Sequence, residues 1–169
     1  MSSFISKGKV NMDDQFKIFV DQLRDGHEKI IHESLFPDFI DIHETDLSFK
    51  KNIELDGVAY KADDELILNW KIRAQALMSC SICNEAVPVN IEIDNFYHSE
   101  PLAEVKGAIY NFKDLLRETI LIEVPAFAEC EEGNCPRRQE VSKYLKEPSE
   151  DEQDIEDGYQ PFANLDWKE

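Results

Sequence analysis

ELILNWKIRAQALMSCSICNEAVPVNIEID, residues Glu65–Asp94, is the stretch that decides the fold. In its first half Leu66, Leu68, Trp70, Ile72 and Ala74 alternate with Asn69, Lys71, Arg73 and Gln75. That period of two puts one set of side chains on each face of a strand. In its second half Val87, Val89, Ile91 and Ile93 alternate in the same way with Pro88, Asn90, Glu92 and Asp94. Two long strands therefore run into and out of Cys80-Ser-Ile-Cys83, an antiparallel hairpin with two sulfurs at its tip. Asn84 suits the left-handed backbone that such a turn requires. Pro88 has no N–H to donate and belongs at a sheet edge or a strand start.

A second doublet, Cys130-Glu-Glu-Gly-Asn-Cys135, is separated from the first by 46 residues and completes the chain's complement of 4 cysteines. A two-residue spacer curls the backbone so that both sulfurs face one point. A four-residue spacer with Gly133 does the same by a wider turn, because glycine enters positive φ at little cost. Four thiolates suit tetrahedral zinc, and two doublets that use every cysteine point to one structural Zn2+ held by Cys80, Cys83, Cys130 and Cys135. Two disulfides, a redox-active CxxC pair, or free thiols with a partial site are the alternatives. The opening MSSFISKGKVNMDD has no apolar core followed by a small-residue cleavage site and reads as lacking a secretory signal. An intracellular chain with few cysteines favours metal binding over stapling. A thioredoxin-like pair opens a helix in a βαβ context, which the surroundings of Cys80 do not supply.

Outward from the hairpin, Phe16-Lys-Ile-Phe-Val20 reads as a first strand after a polar start. Asp25-Gly26 marks a turn. Leu35–Ile40 carries apolar anchors, and Pro37 allows a short helical turn over the core. Leu47, Phe49, Ile53 and Leu55 predict one strand that ends in a hairpin turn at Asp56-Gly57. His98–Gly107 reads as a loop. Phe112, Leu115, Leu116, Thr119 and Ile120 share one face of a helix over Phe112–Glu123, with Asn111 as cap and Pro125 as limit.

The formal net charge is −18, from 36 acidic and 18 basic residues. Unaided, non-specific nucleic-acid binding depends on neutralising phosphates with Lys and Arg, so this excess argues against it and favours a basic partner such as a ribosomal protein. Residues 147–157 hold seven acids in eleven positions, the composition of a solvated, disordered linker. Pro161-Phe162-Ala163-Asn164-Leu165-Asp166-Trp167 follows it, either as a terminus folded back onto the core or as a docking motif. No apolar run approaches the roughly 20 residues that span a bilayer.

Chemistry-bearing motifs are otherwise missing: there is no glycine-rich phosphate loop, no G-x-S-x-G elbow and no H-E-x-x-H pair. His27, His32, His43 and His98 are scattered, and none stands at a ligand spacing from a doublet. A zinc ligated by four thiolates has no open position for a substrate water. The sequence reads as a non-enzyme with no small-molecule substrate.

An alternating strand ending in CSIC, a returning strand, the helix Asp114-Leu-Leu-Arg-Glu-Thr-Ile-Leu-Ile-Glu-Val-Pro125, a second cysteine pair and a closing PFANL resemble the YceD family over residues 45–167. These are the large ribosomal RNA subunit accumulation proteins. The resemblance implies a role in 23S rRNA accumulation and large-subunit assembly, without known catalytic residues. Two departures are visible: Ile82 and Asn84 stand where many members carry a basic residue or glycine, and Cys135-Pro-Arg-Arg-Gln139 replaces a further cysteine knuckle.

The expectation is thus an α+β fold: an antiparallel sheet or partly closed barrel with one covering helix and a four-cysteine zinc site at a hairpin tip. Residues 1–146 would form a single zinc-binding domain, 147–160 an acidic disordered linker and 161–169 an apolar segment. The expected function is that of a cytoplasmic, zinc-stabilised scaffold whose partners are large-subunit assembly intermediates, ribosomal proteins and 23S rRNA. Lys71, Arg73, Arg137, Arg138, Phe162, Leu165 and Trp167 are the candidate contacts to RNA or partner. The alternatives are a zinc-ribbon-like nucleic-acid-binding module and a CxxC thiol oxidoreductase.

Overall fold

The structure, a computed structural model, describes residues 14–23 and 27–144. The Asp25-Gly26 turn, the acidic stretch 147–157 and the segment with Phe162, Leu165 and Trp167 lie outside the described residues.

Nearly all of the regular structure is antiparallel sheet. Its strands are β1 (Lys17–Phe19), β2 (Lys29–Leu35), β3 (Leu47–Phe49), β4 (Ile53–Ala62), β5 (Glu65–Ser79), β6 (Ala86–Pro101) and β7 (Ile109–Asn111). Two helices, α1 (Lys113–Ile122) and α2 (Arg138–Ser142), follow. The centre is β5. It pairs with β6 along its whole length from Glu65↔Pro101 to Ser79↔Ala86. Its other edge takes β4 opposite Glu65–Arg73 and then β3 opposite Ala76–Met78. Outside β4 lies β2, and β1 and β7 form a separate two-stranded ribbon.

The alternation along β5 is reproduced in its burial with one exception: Leu66, Leu68, Trp70, Ile72, Ala74 and Ala76 are buried and Asn69, Lys71 and Arg73 are exposed, but Ile67 on the other face is buried as well. Trp70 stacks on Phe96 at 5.6 Å between ring centroids and meets Phe112 edge-on at 4.9 Å. Phe112, Leu116 and Ile120 bring α1 into the same core, and the Arg117 guanidinium donates to the Ile40 carbonyl at 2.7 Å. Asn111 accepts the Lys113 N–H through its side chain at 3.0 Å, the capping interaction expected of it. Pro37 opens a short 3-10 turn, Pro37–Ile40, that buries Phe39 and Ile40.

Three sequence expectations need correction. Leu47–Leu55 is two strands, because Lys50-Lys51-Asn52 interrupts the ladder between β3 and β4. Asp56-Gly57 is not a turn: β4 runs through it, and the reversal comes at Asp63-Asp64, with Asp63 at φ 51°. Gly57 is required by close approach, since a Cβ there would lie 2.2 Å from the Asn69 carbonyl oxygen and 2.7 Å from Trp70 Cα. Residues 98–101 are strand rather than loop. A bulge sets Asp94 and Asn95 against Lys71, so the inward phase passes from Ile93 to Phe96 and His98. One strand went unread: Lys29–Leu35, whose Ile31 and Leu35 point inward while an 80% exposed Ile30 hides that period.

Gly57→Ala should therefore destabilise the protein by about 3 kcal/mol or more, because the new methyl meets backbone that must shift. Gly107→Ala, at φ 65° but with open space around it, should lose only about 1–2 kcal/mol to the left-handed conformation. Urea denaturation of both variants measures the difference, and equal losses would contradict this account of Gly57.

Candidate metal centre

The turn after β5 is held by its own backbone. Cys80 N–H donates to the Glu85 carbonyl at 2.8 Å, and Asn84 N–H returns to the Cys80 carbonyl at 2.9 Å. Asn84 takes φ 61°, as its place in the turn anticipates. The chain leaving α1 is then fastened to this turn. Ser81 donates both its N–H and its hydroxyl to the Ala128 carbonyl, at 2.8 and 3.0 Å, and Cys80 bridges Ala128. Cys130 is thereby delivered beside Cys80. Between Cys130 and Cys135 the backbone stays tight by entering positive φ at Glu131, Glu132 and Gly133.

All four sulfurs lie within 4.8 Å of one another. Cys130 Sγ is 3.8 Å from Cys80 Sγ and 3.8 Å from Cys83 Sγ. A disulfide would bring a pair to about 2.05 Å; all four cysteines are free. A tetrahedral ion with sulfur at about 2.3 Å sets its ligands about 3.8 Å apart, so the residues fit a metal ion. Cys80 and Cys135 are buried, while Cys83 and Cys130 are half-buried.

The electrostatics of the cluster point the same way. The Cys130 N–H, 3.5 Å from Cys80 Sγ, and then the backbone N–H of Cys83 lower the Cys80 thiol to about 6. The Cys135 thiol beside it, then burial, pushes the Cys130 thiol well above its ordinary range. At Cys83 the Glu85 N–H pulls downward, but burial and the Cys80 and Cys135 thiols outweigh it and the net shift is upward. Four thiolates so close together repel one another, and a divalent cation relieves that repulsion.

The basic residues singled out from sequence stand elsewhere or beside carboxylates. Lys71 and Arg73 lie on the exposed side of β5, Lys71 opposite Asp56 and Arg73 opposite Glu54 on one neighbour and Glu92 on the other. Arg137 pairs with Glu140 at 3.4 Å, and Arg138 pairs with Glu129. The histidines hold other company: His32 pairs with Asp56, and His98 Nε2 lies 3.0 Å from the Tyr110 hydroxyl and 3.2 Å from Glu100 Oε2. Burial, then Glu100, raises the Tyr110 hydroxyl to about 12. Sequence reasoning missed Ser81 and Ala128, which fasten the two doublets together. Ala126-Phe127-Ala128 after Pro125 is too short a pattern to reveal that contact.

Among the described residues, no helix is long and apolar enough to cross a membrane. The chain matches no protein-family profile, no curated protein and no solved structure in these comparisons.

Purified protein should carry one metal ion per chain and release it as pH falls, because protons compete for the thiolates. Among the described residues, twelve large apolar side chains are fully buried without help from the cluster, each contributing about 2 kcal/mol before chain entropy. Chelation, Cys80→Ser or Cys130→Ser should therefore strip hydrogen-exchange protection from residues 80–86 and 126–138 and leave β4, β5 and α1 protected. Global loss of protection would show that the metal holds the entire fold.

Proposed function

We propose that the chain is a non-enzymatic, zinc-stabilised adaptor that supports 23S rRNA accumulation and assembly of the large ribosomal subunit in the cytoplasm. The convergence of the four cysteine sulfurs carries this reading. Zinc is the ion best suited to four thiolates, and a full tetrahedral shell serves architecture rather than activation of water. In this reading α1 covers the sheet and the β5–β6 turn is the zinc-bearing hairpin tip. The ribosomal part draws on the resemblance to the YceD family carried by Cys80–Cys83, Asp114–Pro125 and the closing PFANL.

The carboxylates standing beside the basic residues favour a role mediated by protein contacts over direct RNA binding. Lys71, Arg73, Arg137 and Arg138 each stand beside at least one carboxylate, and a phosphate approaching them would meet that negative charge. Four mutually close sulfurs also weigh against a CxxC pair acting alone as a thiol oxidoreductase.

Depletion from the host cell should lower 23S rRNA relative to 16S rRNA and reduce 50S particles, with restoration by the intact chain. Normal 23S rRNA and 50S levels after depletion would overturn the ribosomal assignment. The purified chain should show no RNA binding at low salt; salt-dependent binding lost on replacing Lys71, Arg73, Arg137 and Arg138 would instead support the nucleic-acid-binding module.

A further inference from the structure

Beside the cysteine cluster lies a groove of about 450 Å³. Val87 and Val89 of β6 contribute one part of its lining, and Pro125, Phe127 and Ala128 another. Val87 and Val89 continue the inward phase of β6, yet at this end of the sheet both remain half-buried. Phe127 is 72% exposed, which forgoes much of the roughly 1.5–3 kcal/mol that burying such a side chain contributes. The groove is an uncovered extension of the core.

Three carboxylates border it: Glu129, Glu131 and Glu132. Arg138 engages the first. Glu131 and Glu132 are exposed, and neither makes a side-chain hydrogen bond or ion pair among the described residues. Both occupy left-handed backbone, at φ 51° and 53°, where a side chain costs roughly 1–2 kcal/mol relative to glycine. The knuckle thus presents two unneutralised charges next to an open apolar surface, in a chain of net charge −18.

We propose that this groove docks an extended, basic polypeptide segment of a partner protein, with an apolar side chain of that segment against Phe127, Val87 and Val89 and its cations against Glu131 and Glu132. The choice of occupant rests on the adaptor reading above and adds to it a surface and a chemistry. Charge complementarity selects this occupant. RNA would bring phosphates to Glu131 and Glu132, and a second copy would bring another net charge of −18. The chain's own segment 161–167 would come attached to the seven acids of 147–157.

The test uses the full-length, metal-loaded chain and a fluorescein-labelled peptide of about a dozen residues, Lys and Arg around one central leucine. Fluorescence anisotropy should show saturable binding that weakens as salt rises. Replacing the leucine by serine, or Phe127→Ser in the protein, should weaken binding about tenfold, the loss of one buried anchor. Glu131→Gln with Glu132→Gln should weaken it about tenfold and flatten the salt dependence. Glu92→Lys, on the exposed side of β6, should change it less than about twofold. Metal content and circular dichroism of each variant separate lost binding from lost folding.

Equal weakening by Glu92→Lys, or indifference to Phe127→Ser, would overturn the proposal by showing attraction to net charge alone. Self-association abolished by Phe127→Ser, RNA displacing the peptide from the groove, or tighter peptide binding after deletion of 161–169 would each name a different occupant and overturn it too. Groove binding in a chain whose depletion leaves 50S particles normal would refute the ribosomal assignment alone. A chain needed for 50S particles that ignores the peptide would refute the groove alone.

Discussion

The paired donations from Ser81 to the Ala128 carbonyl, at 2.8 and 3.0 Å, are the contact on which the arrangement around the cysteines depends. They bind a turn between two strands to a segment that lies beyond the helix, almost fifty residues away along the chain. Closing so long a loop carries an entropic cost that one hydrogen-bonded oxygen would not meet. The core meets most of it, because Phe112, Leu116 and Ile120 already fix α1 against the interior. Once the helix is placed, the chain from Val124 to Ala128 has little freedom left. Cys130 arrives with its N–H 3.5 Å from Cys80 Sγ. A metal ion would then meet sulfurs that folding has already gathered.

Much of this was readable in the sequence where the physics is local. The period of two along Leu66–Ala74 survives because β5 has neighbours on both edges and a core on one face. The four thiols declare their chemistry through residue type and spacing alone. Reading fails where a tertiary contact sets the meaning of a residue. Gly57 resembles turn punctuation, yet its missing side chain makes room for Trp70. The bulge opposite Lys71 shifts the phase of β6, so Phe96 and His98 look out of register with Ile91 and Ile93 although all four belong to one strand. Val87 and Val89 alternate like core residues, and only the place where the covering elements stop leaves them partly open.

Charge divides the molecule in a way that composition alone does not reveal. On the exposed side of the sheet, Arg73 faces Glu54 and Glu92, and Lys71 faces Asp56, so the two signs are interleaved across three strands. Cross-strand neighbours of opposite sign each contribute a few tenths of a kcal/mol and leave little net field. The knuckle is different: Glu131 and Glu132 follow each other with no cation between them. A large negative total is therefore compatible with one face of interleaved signs and one concentrated negative edge.

A metal on the cysteines and a ligand in the groove would also be thermodynamically joined. The groove has β6 on one side and the chain from Pro125 to Glu132 on the other, and the cysteines tie these two sides together: Cys83 precedes β6, and Cys130 lies inside the second segment. Any ligand that needs both sides in place binds better to the form in which the sulfurs are clasped, and linkage requires the converse, that such a ligand tightens the hold on the metal by the same factor. The sheet itself lies outside this coupling, since its buried side chains pack without the cluster. An ion's effect would thus be confined to the end of the molecule where Glu131, Glu132 and the exposed Phe127 stand. A metal in this position would set the geometry of the proposed docking groove, while the core supplies the stability of the fold.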